Sequence, residues 1–475
     1  MAAGTQYDAV VIGSGPNGLV AAITLARAGR RVVVFEGADT PGGGCRTAEL
    51  TGPGFRHDVC SSVLPLGIGS LALRELPLER HGVRWVQPDI ALAHPVGATA
   101  ALLHRSIDET VAGLGRDGKA WRRFVAPFLV GNQRLSDDLL SPLSFPGHPI
   151  GLARFGVFGV WGSTAAARAT LRTEGGAALL AGLAAHSVLP IDQAITTGIG
   201  VFLGALAHTV GWPVAEGGSQ SVTDALVAIL AEHGGEVVCG HRVARLSDLP
   251  PATIVMADVG PRQLLDLAGD RLPPRYRRRL QRFRLGPGVF KVDYALSEPV
   301  PWRVAGVGQA GTVHVGGTMA EVAAAEATVG RGQHPEAPFM ITAQASRFDP
   351  TRAPPGQHTY WAYTHVPAGS TVDMLPRMEA QIERFAPGFR DIVIDRHVMA
   401  PAQLEAKNPN NVGGDVTGGM NDWTQFLRRP TLSLHPWRTP IKGVYLCSAS
   451  TPPGGGVHGM CGWHAARTAL KDVPG

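Results

Sequence analysis

Cysteine is scarce in this chain. Five are spread over 475 residues (Cys45, Cys60, Cys239, Cys447, Cys461), an odd number with no CxxC or CxxxxC pair. That excludes dithiol–disulfide reductase chemistry and a disulfide framework, and it suits a reducing compartment. The same spacing offers no metal ligand set, so no metal is expected. Lysine is scarcer relative to its partner: five of the 43 basic residues are Lys, and the net charge is only +5. No nucleic-acid module accompanies these charges, so a nucleic-acid partner is not expected. A leader is also missing from the reading: "MAAGTQYDAVVIGSG" has no basic segment followed by an apolar one. A cytoplasmic location is therefore expected.

Long apolar runs are nearly absent too. Residues 193–215 carry no Asp, Glu, Lys or Arg and are long enough to cross a bilayer. Thr196, Thr197, His208, Thr209, Pro213 and four glycines interrupt them. Buried helices around an apolar cavity are the expected outcome, with a membrane-dipping surface as the second reading. Phe155, Phe158, Trp161, Phe202, Leu203 and Leu206 could line such a cavity, though each alone reads more readily as helix-packing core. The run "RYRRRLQRFR", Arg275 to Arg284, reads as a solvated helix face, or as a surface resting on anionic headgroups.

What the chain has in quantity is length and glycine. At 475 residues, with 61 Gly and 37 Pro, it should divide into two domains rich in turns. The N-terminal "YDAVVIGSGPNGLVAAITLARAGRRVVVFE" reads as strand Ala9–Ile12, a GxGxxG turn, a helix over 17–28 and a strand over 31–35. Gly13 allows the tight turn, Gly15 lets a pyrophosphate approach the backbone, and Gly18 lets helix and strand pack closely. Pro16 and Asn17 open the helix, and Glu36 ends the second strand, where an acid accepts from a ribose diol. "GVGQAG", residues 306–311, also fits GxGxxG but lacks the flanking strand and helix, so no second dinucleotide site is expected.

After Glu36 comes "GADTPGGGCRTAEL", which resembles the flavoprotein family of carotenoid desaturases, amine oxidases and related FAD enzymes. The resemblance makes FAD the cofactor and implies that Gly43, Gly44 and Arg46 contact it. It also implies an α/β fold: a discontinuous Rossmann-type FAD-binding domain of the glutathione-reductase-like class, with an α+β substrate domain inserted. Residues 1–75, 214–275 and 401–475 would form the first, and 76–213 and 276–400 the second. "GGSQSVTDALVAILAEHGGEVVCGHRVARL" then reads as a helix over 219–233 and strands near 236–239 and 242–246. In the family the latter passes the adenine, with a backbone contact at Val243. "ATIVMADVGP" resembles the strand that ends beside the cofactor, here at Asp258 where the family often has Asn.

The chain closes on "KGVYLCSASTPPGGGVHGMCGWHAARTAL": strand 443–448, glycine loop, helix 459–470. In the resembled family this module closes over the isoalloxazine. Gly454, Gly455, Gly456, Val457 and Met460 would lie at the flavin, and His458 is the base expected to serve proton transfer. Cys461 and Trp463 read as packing against the first helix. Lys407, in "EAKNPNNVGGDVTGG", reads as an exposed loop lysine. Within the family the chain resembles the carotenoid-desaturase-like and retinol-saturase-like subgroup, including the pyridine nucleotide-disulfide oxidoreductase domain-containing protein 2 group. The resemblance implies an oxidoreductase that desaturates, saturates or isomerises a hydrophobic, isoprenoid- or lipid-like substrate. An amine oxidase-like reaction and a flavin-bearing binding or regulatory protein are the alternatives.

Overall fold

Four-residue strand β1, Ala9–Ile12, is buried along its whole length, which only a strand with neighbours and helices on both faces can be. The computed structural model describes residues 6–142 and 146–474, so the first five residues of the leader reading lie outside it. β1 leads into helix α1 (Pro16–Arg27), strand β2 (Val32–Phe35), helix α2 (Gln220–Glu232), strand β3 (Glu236–Val238) and strand β4 (Ile254–Ala257). Helix α3 (Pro274–Gln281), strand β5 (Val444–Leu446) and helix α4 (Met460–Asp472) complete the set.

The five strands form one parallel sheet in the order β5-β4-β1-β2-β3. Ala9 pairs with Ile254 on one side and Val32 on the other, so residues 245 apart in sequence (254 − 9) are direct neighbours. Helices α1, α2 and α4 cover one face through Leu19, Leu226 and Ala465. The other face packs Ile12, Leu264, Leu280 and Leu446. α1 and α4 touch so closely that a Cβ at Gly462 would strike the Asn17 carbonyl.

A second, seven-stranded sheet runs in the order 393–399, 288–296, 358–366, 340–343, 310–315, 90–96, 99–104. Its pairings are antiparallel except that of Ala310–Val315 with Ile90–Val96. The helices Glu174–Ala185 and Thr196–Thr209 pack beside it and supply the uncharged stretch. At 14 residues the second is too short to span a bilayer, and among the described residues no helix is long and apolar enough to do so.

One expectation needs correction. No strand forms over 242–246: Gly240, at φ +67°, turns the chain off the sheet edge, and His241 N–H donates to the Glu36 carbonyl. Of the six residues offered for an apolar cavity, five follow their core reading. Phe155 and Phe202 meet Phe128, Phe158 meets Phe124, and Leu203 and Leu206 are buried with Trp121. Trp161 is 41% exposed. "GVGQAG" forms a single 3-10 turn running into a strand of the second sheet.

Candidate functional site: a cradle at the carboxyl ends of the parallel strands

The carboxyl edge of a parallel sheet is where helix N-termini and free backbone N–H groups gather, and ligands of such folds bind there. Here the edge opens into a cavity of about 460 Å³. Its wall is drawn from chain segments near residues 12–17, 35–46, 241–267, 406–418 and 448–457.

The first segment builds an anion cradle. Gly13 stands at φ +93°, the left-handed region a side chain resists, and the turn it makes delivers α1 to the cavity. Gly15 is the N-cap and has no side chain to cap with, Pro16 occupies the first turn, and buried Asn17 Oδ1 has no partner. The helix therefore starts at the cavity with no cap from its own N-cap residue. Gly18 stands behind the wall, where a Cβ would overlap the Gly13 carbonyl.

Glu36 lines the cavity beyond the turn. It accepts from Ser14 N–H (2.9 Å), Ser14 Oγ (2.5 Å) and Ala38 N–H (2.9 Å), which aim the carboxylate across the end of β2. Gly43, Gly44 and Arg46 line the cavity too, Gly43 packed against Gly15. Arg46 Nε donates to the Gly43 carbonyl (2.9 Å) and Nη2 to that of Lys407 (3.0 Å), so one arginine ties two distant segments at the cavity. Lys407 is exposed, as read from sequence, but ends a helix rather than sitting in a loop, and it lines the cavity.

Asp258 is the unexpected charge. Its Oδ2 accepts from Gly18 N–H at 3.0 Å and would lie 2.8 Å from a Cβ at Gly15, so it caps α1 from across the sheet. Burial, with Glu36 adding like charge and only the Gly18 bond opposing, pushes its carboxyl up to about 7. A diphosphate at the start of α1 would meet this group as a neutral acid more readily than as an anion.

The C-terminal module divides. Gly456 and Val457 line the cavity; Gly454, Gly455, Met460 and His458 do not. Gly455 lies against the Thr417 carbonyl, 2.5 Å from where a Cβ would be, so it lets two glycine loops meet. Met460 Sδ accepts from Ala72 N–H. His458 requires a correction as the expected base. It is 1% exposed, its Nδ1 accepts from Met460 N–H (3.0 Å), and its Nε2–H therefore donates to the Gly454 carbonyl (3.1 Å). Both nitrogens are spent on the loop, and burial lowers the imidazole to about 4.

Sequence reading missed the segment 408–411. Asn410 Nδ2 donates to the Asp258 carbonyl (2.9 Å) and its Oδ1 accepts from Gly260 N–H (3.0 Å), bracketing the end of β4. The asparagine-rich "NPNNVGGDVTGG" was the available cue. His241 and Arg242 also line the cavity beside Val243, in the segment that left the sheet.

The wall fits FAD: a helix N-terminus behind a glycine turn, an acid at the end of β2, a paired-glycine and arginine strip, and glycine loops that bring backbone to the surface. The single discord is Asp258, whose carboxyl burial pushes up to about 7, toward the neutral form.

Comparison with known proteins agrees. Residues 11–74 match the family model of an NAD(P)-binding Rossmann-like domain. The chain is 26% identical to pyridine nucleotide-disulfide oxidoreductase domain-containing protein 2 of Mus musculus, over 98% of this chain and 94% of the relative. It is 24% identical to a limonene dehydrogenase component of Castellaniella defragrans, over 98% and 95%. Among solved structures, a triple mutant of putrescine oxidase superposes with a TM-score of 0.62 at 16% identity, over 98% of each chain. The chain is thus similar along nearly its whole length to oxidoreductases of the FAD type, and its cofactor is FAD.

Proposed function

We propose that this FAD oxidoreductase acts on a hydrophobic, isoprenoid- or lipid-like substrate, as a desaturase, saturase or isomerase. The observation that carries the reading is the apolar lining that Phe283, Leu285, Val412, Val416 and Val457 give the cavity. The carboxylate among them, Asp415, is 1% exposed and already accepts from Gly286 N–H (2.7 Å) and Thr417 (2.7 and 2.8 Å), which leaves it poorly placed to take an ammonium group. A relative of matching length is named as part of a limonene dehydrogenase, which favours an apolar substrate.

FAD, when bound, supplies a two-electron centre that accepts or returns hydride at its N5. The chain's own residues bind, orient and exclude water. The start of α1 would turn its positive end to the diphosphate, Glu36 would accept from ribose hydroxyls, and Arg46 holds the Gly43 and Lys407 backbones in place. His458 is assigned a positioning role: neutral, with its proton held on Nε2, it braces the Gly454–Gly456 loop. Supporting a discontinuous FAD domain of the glutathione-reductase-like class, the parallel sheet draws on residues 9–35, 236–257 and 444–446. The second sheet draws on 90–104 and 288–399, the segments assigned to the substrate domain.

The test is anaerobic spectroscopy of the FAD-loaded protein. Bleaching of the flavin by terpenes or polyenes, and not by primary amines, is the expected result. Bleaching by amines alone would transfer the chain to amine oxidase-like chemistry, and a flavin that no organic substrate reduces would make it a binding protein.

A further inference from the structure

We propose that the surface formed by α3 and the 423–434 loop is a docking site for an anionic lipid bilayer. Soluble proteins seldom leave large apolar side chains clustered in water without a partner. Within twelve residues this loop exposes five: Trp423 (55%), Phe426 (43%), Leu427 (43%), Leu432 (69%) and Leu434 (89%).

The arginine run adjoins it. Arg284, just past α3, pairs with Asp422 (2.6 Å) and donates to Thr424 Oγ1 (2.8 Å). Its backbone N–H donates to Gln425 Oε1 (2.9 Å), and Gln425 Nε2 donates back to its carbonyl (2.7 Å). Leu280 of α3 shares a buried cluster with Ile441, where the chain leaves the loop for β5. The two pieces are therefore held together at both ends.

Their charges are unbalanced. Arg277 and Arg284 have acidic partners, Asp270 and Asp422. Arg275, Arg278, Arg279, Arg282 and Arg428 are exposed, and among the described residues none lies within ion-pair distance of a carboxylate. An interfacial site needs both features at one place: apolar side chains, Trp among them, enter the acyl boundary while guanidinium groups meet phosphates above it. A nucleic acid would neutralise the arginines and leave Leu432 and Leu434 in water. With no membrane-crossing helix among the described residues, the contact is peripheral.

This inference is independent of the redox chemistry. The experiment sediments the full FAD-loaded chain with vesicles of phosphatidylcholine alone, or of phosphatidylcholine mixed with phosphatidylglycerol, at low and high salt. Variants are Leu432→Ser with Leu434→Ser, and Arg278→Glu with Arg279→Glu; retained flavin absorbance certifies their fold. The expected result is binding to the anionic vesicles only, weakened by salt and by roughly tenfold or more in each double variant. No binding, equal binding to neutral vesicles, or undiminished binding by both variants would overturn the proposal. So would self-association in the absence of lipid that both variants abolish, which would make a second copy the occupant.

Discussion

Replacing Asp258 by Asn tests the electrostatics of the cradle. Asn keeps an oxygen to accept from Gly18 N–H and removes the titrating group. In the folded apoprotein the carboxyl is raised, chiefly by burial and further by Glu36, from 3.8 to about 7. A raised folded-state value means the proton's contribution to stability is complete below the unfolded value of 3.8 and is lost as pH climbs through about 7. Roughly three units at about 1.4 kcal/mol each come to about 4 kcal/mol between pH 4 and pH 7, with no further change above. For a chain of this length, unfolding entropy of about 2.1 cal/mol/K per residue turns that into about 4 °C of melting temperature. Scanning calorimetry of both apoproteins from pH 4 to pH 9 is the assay. The variant's advantage is expected to grow across that window and then level off. Parallel curves would refute the placement of an ionisable, desolvated carboxyl at the start of α1. The same logic extends to the cofactor: FAD should bind the wild type more weakly above neutral pH, and the Asn variant without that dependence.

Three further outcomes are expected. Gly15→Ala places a methyl 2.8 Å from Asp258 Oδ2; overpacking of about 1–3 kcal/mol should appear as roughly tenfold or greater loss of FAD affinity by fluorescence titration, with circular dichroism unchanged. The His458 imidazole should remain neutral, protonated on Nε2, from about pH 5 to pH 9, since its value lies near 4; nitrogen-15 NMR of the ring showing a transition between 6 and 7 would restore it as a candidate base. Gly462→Val drives a side chain into the Asn17 carbonyl and should cost about 3 kcal/mol or more through the α1–α4 contact, measured by melting temperature.

The local elements were legible because their causes are local. Apolar strands, a glycine turn and a small-residue helix predict β1-α1-β2 within one or two residues of Ala9–Ile12, Pro16–Arg27 and Val32–Phe35. The same holds for α2 and α4. What local pattern cannot carry is which side chains meet. Residues 242–246 have a strand-like sequence, yet a positive φ at Gly240 takes them across the cavity instead. His458 looks like a base beside a flavin loop until Met460 N–H and the Gly454 carbonyl are seen to use both its nitrogens. Asp258 reads as a departure from a family pattern; only the pairing of β4 with β1 brings it to Gly18, 240 residues away. Phe155 and Phe202 suggest a cavity by composition, but both rings pack against Phe128.

The central claim is that remote glycine segments converge on one FAD. Its most direct measurement is equilibrium titration of the purified apoprotein with FAD, followed by absorbance and flavin fluorescence. Saturation at one FAD per chain, reduced by Gly15→Ala, is the result expected. A colourless protein that takes up no FAD under native conditions would contradict the account.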